Sequence, residues 1–143
     1  MIKKLDKYSY VGGTRYMDHG SRNYEVAGYR LPSVTTILGR TKDDTFLKDW
    51  IKKKGKKEAE RIKTASAVRG TSMHKYLENY VLGKGCEDLT ELGQETKRMA
   101  EKVIEVGLAP VSGYFGSEVT IYYPGLYAGS TDLVGIHNDK ETI

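Results

Sequence analysis

His74 and Glu78 stand four residues apart in a stretch of helical periodicity, while Glu118 and Asp132 stand in two stretches rich in β-branched and aromatic residues. One imidazole and a set of carboxylates are donors for a hard divalent cation, which in phosphodiester hydrolysis activates water and neutralises developing charge. Aspartate is disfavoured inside strands, and an unpaired buried carboxylate costs several kcal/mol. Asp132, if turned inward, therefore needs a partner, and a cation would supply one; a solvent-facing aspartate on an alternating strand is the ordinary alternative. Gly129, three residues earlier, fits a bulge or a close approach of a ligand or another chain. His74 also has an ordinary alternative, a hydrogen-bonded residue beside an apolar stripe. Arg69-Gly70-Thr71 just upstream favours a site, because glycine near a helix start permits close backbone approach. Neither a G-x-S-x-G elbow nor a phosphate-binding loop is present, which argues against acyl transfer and nucleotide hydrolysis.

Charge points the same way. The 143 residues carry a net charge of +4, and residues 48–63 alone hold eight basic side chains against three acidic ones. A concentrated basic stripe is the footprint of a protein that meets a polyanion, and Lys52, Lys53, Lys56 and Lys57 are the candidates for phosphate contact. Arg69 either faces a phosphate or caps a packing contact. A merely solvated helix face is the alternative for the lysines. The eleven tyrosines read mostly as half-buried strand residues. Cys86 is the only cysteine, which excludes a disulfide framework and a multi-cysteine zinc site. A reducing, cytoplasmic setting is expected. No apolar run approaches the ~20 residues of a membrane span.

The elements that must position these residues give an α+β chain, expected as one domain over 1–143. An N-terminal β-hairpin occupies about 1–30, with a turn at Asp18-His19-Gly20-Ser21. The helical part covers about 33–107. Ser33 caps a short helix from Val34 to Leu38, and Asp43 or Asp44 caps the next, where Phe46, Leu47, Trp50 and Ile51 form a core stripe. Gly55 breaks it. A helix over 57–67 follows, with Ala59, Ile62 and Ala65 or Ser66 inward. Another carries Met73, Leu77, Tyr80 and Val81 at i, i+4, i+7 and i+8, and a last helix begins at Thr90 or Leu92. An antiparallel meander over about 117–143 ends the chain, incomplete at a third strand that opens with Glu141-Thr142-Ile143. Its open edge should be covered by the N-terminal hairpin or by a second copy, so self-association through that edge is expected.

Taken in order, Leu31-Pro32-Ser33-Val34-Thr35-Thr36-Ile37-Leu38, Leu47-Lys48-Asp49-Trp50, Arg69-Gly70-Thr71-Ser72-Met73-His74 with Glu78, then Glu118, then Gly129-Ser130-Thr131-Asp132 resemble the PD-(D/E)XK nuclease superfamily. Within it they are most similar to the RecB-like exonucleases, which include phage enzymes and the mitochondrial genome maintenance exonuclease. The resemblance implies a restriction-endonuclease-like core and a metal-dependent DNA exonuclease of repair, recombination or replication. It implies that His74 and Asp132 bind Mg²⁺ or Mn²⁺, that Glu118 is a further ligand or supporting group, and that Glu78 supports the site from behind. The family's third motif, an acidic residue, any residue, then lysine, should fall on the strand opened by Glu141, where Ile143 stands in the lysine position. The motif is therefore expected beyond Ile143, and this chain is expected to be inactive or weakly active. A non-catalytic nucleic-acid-binding module on a degenerate nuclease fold is the second reading. A plain α+β interaction domain is the third.

Overall fold

Turn chemistry sets the strand boundaries. His19-Gly20, Ala27-Gly28 and Asn138-Asp139 are two-residue connections in which both residues have positive φ, between 47° and 78°. That is the pattern whose twist matches antiparallel strands. Pro124-Gly125 makes the fourth turn, with φ +75° at Gly125 and the Leu126 amide donating to the Tyr123 carbonyl. The computed structural model describes residues 1–85, 88 and 90–143, so Cys86 lies outside the described residues. The fold is α+β, with the strands gathered at the two ends of the chain and the helices between them. The chain divides into two compact units, one of Met1 with Asp43–Pro110 and one of Ile2–Lys42 with Val111–Ile143.

The second of these units is a sheet structure. β1 (Lys3–Lys4) runs parallel to β5 (Val111–Tyr123), which pairs antiparallel with β6 (Tyr127–His137), and β6 pairs with β7 (Lys140–Thr142). β2 (Gly13–Asp18), β3 (Ser21–Val26) and β4 (Tyr29–Pro32) form a separate antiparallel sheet, one strand more than the expected hairpin. Tyr24, Val26, Leu31 and Ala128 form a buried cluster with Tyr122 packed against it, and Ile2, Tyr114, Phe115 and Val134 are buried as well. Seven of the eleven tyrosines do lie in strands.

Ser33 is where the three-stranded sheet hands over to helix α1 (Val34–Thr41). Its hydroxyl accepts from the Thr36 amide, its own amide donates to Arg22, and it is almost completely buried. The predicted cap is therefore correct, and the helix runs past Gly39 to Thr41. The predicted third strand of the tail also pairs, through Gly135–Thr142, Ile136–Glu141 and His137–Lys140. Glu141 is held by Lys7 and by the Tyr8 hydroxyl, which donates to its other carboxylate oxygen at 2.7 Å. The N-terminal segment thus reaches the edge that the sequence left open, through side chains rather than through a paired strand.

The other unit is helical. α2 (Thr45–Lys54) begins after Asp43, whose carboxylate accepts from both the amide and the hydroxyl of Thr45. These bonds hold that carboxyl below its ordinary range. Gly55, at φ +82°, ends α2 and starts α3 (Lys56–Val81). α4 (Glu91–Val103) is capped by the Thr90 hydroxyl, which accepts from the Gly93 amide, and closes in a π-helical turn, Ile104–Leu108. Across α3 and α4 the Ser72 and Thr96 hydroxyls meet at 2.9 Å, and Thr96 also donates to backbone carbonyls of its own helix.

Three sequence expectations are corrected here. The two helices read on either side of Arg69-Gly70 are one helix of 26 residues, so Gly70 lies in a helix interior and not near a start. An interior glycine costs about 1 kcal/mol relative to alanine, and the continuous backbone ladder of α3 carries it. Ala65 and Ser66 are exposed rather than inward. The apolar stripe of α2 is only half covered: Trp50 and Ile51 are half-buried, no residue of that helix is fully buried, and Phe46 is 84% exposed.

Candidate metal centre

Two irregularities shape the strand that carries Glu118. Between Val111 and Gly113, and again between Tyr114 and Gly116, β5 takes an extra residue relative to β6. Such bulges bend and twist a strand and re-aim its side chains. After the second one the register is regular, with Ser117 opposite Leu133 and Val119 opposite Thr131. Glu118 therefore stands opposite Asp132. Carboxylate oxygens of the two lie within 4.8 Å of each other, and both residues are exposed.

Like charges placed directly opposite across a ladder oppose pairing. Glu118 also has φ +52°, left-handed backbone for a residue with a long side chain. That conformation costs roughly 1–2 kcal/mol in an L-residue, and such costs cluster at functional sites. Next to it, the Ser117 hydroxyl donates to the Asp132 carbonyl at 3.3 Å, tying the two strands together beside the carboxylates. The paired acids are thus carried on the two longest strands, along the stretch where β5 and β6 pair with each other.

The backbone strain at Glu118 makes a testable sign. In a regular strand Glu→Ala should be more stable than Glu→Gly, because glycine loses more chain entropy on folding. At position 118 the order is expected to invert, with Glu118→Gly more stable than Glu118→Ala by about 1 kcal/mol in chelator. Thermal unfolding of the two variants checks it.

The other candidates fall as follows. His74 is exposed on α3, and Glu78, one turn further on, is half-buried and ion-paired with Lys75 at 2.9 Å. Arg69 pairs with Glu95 of α4 at 3.3 Å, and both side chains stay part-exposed. Lys52 and Lys53 end α2, Lys56 and Lys57 open α3, and all four are exposed around the Gly55 break. Glu58 and Glu60 pair with Arg61 and Lys63 of their own helix. Gly129 stands in regular register with Ile121, and the bulges lie elsewhere, in β5. Asp132 is exposed, so the argument from a buried charge does not apply; the carboxylate facing it takes that argument's place.

Sequence reasoning missed the left-handed backbone at Glu118, for which no local signal exists. It also missed the capture of Glu141 by Lys7 and Tyr8. Among the described residues, no helix is long and apolar enough to cross a membrane. No family model, curated protein or solved structure matches this chain.

Proposed function

We propose that the chain is a metal- and DNA-binding protein of the metal-dependent deoxyribonuclease type, an exonuclease of DNA repair, recombination or replication. The observation that carries this reading is the Glu118–Asp132 pair, two carboxylates set opposite each other across β5 and β6 with one of them on strained backbone. Two hard oxygen donors suit Mg²⁺ or Mn²⁺, ions that keep waters and share a substrate phosphate. His74 enters the proposal as a further ligand on the sequence resemblance alone. When bound, the ion supplies charge neutralisation at the phosphate and a water of lowered pKa.

The chain's own residues do the rest. Glu118 and Asp132 present fixed negative charge at one place on the sheet, and the Ser117–Asp132 bond holds the strands in register beside them. Lys52, Lys53, Lys56 and Lys57 engage the DNA backbone, which positions the strand without reading its sequence. The Glu141 carboxylate on β7 is held by Lys7 and by the Tyr8 hydroxyl, so it is already engaged by protein side chains.

That last observation favours the second reading, a non-catalytic nucleic-acid-binding module on the same fold. DNA-binding titrations over a range of salt, in Mg²⁺ and in chelator, separate the two. The unmodified chain is expected to bind DNA with a steep salt dependence. Replacing Lys52, Lys53, Lys56 and Lys57 together by alanine should flatten the slope by roughly three to four units of log K per log salt. If Mg²⁺ strengthens binding and His74→Ala removes that effect, the nuclease reading holds. Metal-independent binding that His74→Ala leaves unchanged supports the binding module. Absence of DNA binding at low salt contradicts both.

A further inference from the structure

Helix α2 is the element whose exposure the metal centre does not explain. None of its residues is fully buried, and it carries the exposed Phe46 and Leu47 beside the half-buried Trp50 and Ile51. Phe46 is 84% exposed and Leu47 46% exposed. Phe46, Trp50 and Lys53 fall at i, i+4 and i+7, so an aromatic pair and a lysine share one helix face. The last turn is Lys52-Lys53-Lys54, and Lys56 and Lys57 follow directly after Gly55. An exposed aromatic ring beside a dense row of cations is complementary to a ligand with flat apolar faces and a phosphate backbone.

We propose that α2 is a single-strand-binding arm, in which Phe46 and Trp50 stack on unpaired bases while Lys53 and Lys54, which flank the rings on the helix, hold the adjoining phosphates. The proposal rests on the reading that the protein handles DNA, and adds to it a site outside the metal centre and a preference in strandedness. A duplex keeps its base faces stacked inside, so it can use the lysines but not the rings, whereas an unpaired strand can use both. A lipid surface is the competing anionic partner for a basic amphipathic helix. At 3.6 residues per turn, however, Lys54 falls inside the arc spanned by Phe46 and Ile51, placing a charge in the middle of the face that would enter the bilayer.

Trp50 is the only tryptophan, so its emission reports on this helix alone. The full chain is titrated at low salt with an oligothymidine, with a duplex of equal length and with anionic phosphatidylserine vesicles, following Trp50 emission and DNA anisotropy. The oligothymidine is expected to quench Trp50. Phe46→Ala should weaken oligothymidine binding about tenfold, with duplex binding changed less than twofold and Phe46→Tyr restoring the loss. Because Phe46 is so exposed, its removal leaves the buried core intact, and the unchanged duplex binding verifies that. Lysine-dependent duplex binding together with no effect of Phe46→Ala on the oligothymidine overturns the arm while leaving the DNA-binding reading in place. A blue-shifted Trp50 emission on vesicles without quenching by DNA overturns it in favour of a membrane-surface helix. No DNA binding of either kind removes both the arm and the reading beneath it.

Discussion

Mn²⁺ is expected to raise the unfolding temperature of the unmodified chain, and Asp132→Ala to abolish that rise. An ion that binds the folded state alone stabilises it by about 2.7 kcal/mol at a free concentration one hundred times its dissociation constant. For a chain of this size that corresponds to several degrees in Tm. The effect depends on the two carboxylates acting together. Asp132 faces Glu118 across the ladder, and a single remaining carboxylate is a poor site for a hard cation that seeks several oxygens. Glu118→Gln should therefore lose the Mn²⁺-dependent rise as well, whatever either variant does to stability in chelator. Glu91→Gln, at an exposed position in the first turn of α4, should retain the full rise. The comparison is of each variant with itself, with and without Mn²⁺, by circular dichroism melting. Equal rises in the unmodified chain and in Asp132→Ala would show that any bound Mn²⁺ sits elsewhere.

Gly135→Ala should destabilise the sheet unit by about 2–3 kcal/mol. Gly135 stands opposite Tyr114 between the two bulges of β5, where the twisted strand crowds its partner. A Cβ added there would lie 2.6 Å from the Gly113 carbonyl oxygen and 3.3 Å from the Tyr114 Cα. Both are backbone atoms of the central strand, so neither can swing aside as a side chain would. Relief requires moving β5 against β6, the strands that carry Glu118 and Asp132. The same variant should therefore also weaken Mn²⁺ binding. Gly129→Ala is the control on the same strand, since its Cβ would meet only Val34 at an ordinary 3.7 Å. Urea unfolding should show a lower midpoint for Gly135→Ala and little change for Gly129→Ala. Gly135→Ala within 0.5 kcal/mol of the unmodified chain, as for a typical surface substitution, would contradict the close approach.

Punctuation residues made much of this fold legible. Ser33, Gly55, Pro124-Gly125 and Asn138-Asp139 each act through a local backbone requirement, and each marks its boundary in the structure. Features that depend on distant chain were not legible. β1 is two lysines that become a strand only because β5 lies beside them, some hundred residues later. Gly70 carries the same local signal as Gly55 but ends nothing, because the helix on either side continues through it. Phe46 and Leu47 have core spacing, and spacing alone does not say whether another element covers them. Glu118 and Asp132 stood out as carboxylates in strands. That they face each other follows from register, which the Pro124-Gly125 turn sets along a ladder without a bulge from Tyr123–Tyr127 to Ser117–Leu133.

Calorimetric titration of Mn²⁺ into the unmodified chain, His74→Ala, Glu118→Gln and Asp132→Asn bears most directly on the proposed metal centre. One saturable site in the unmodified chain, weakened or lost in all three variants, is the expected result. Saturable binding that all three variants retain, or no saturable binding at millimolar Mn²⁺, would contradict it.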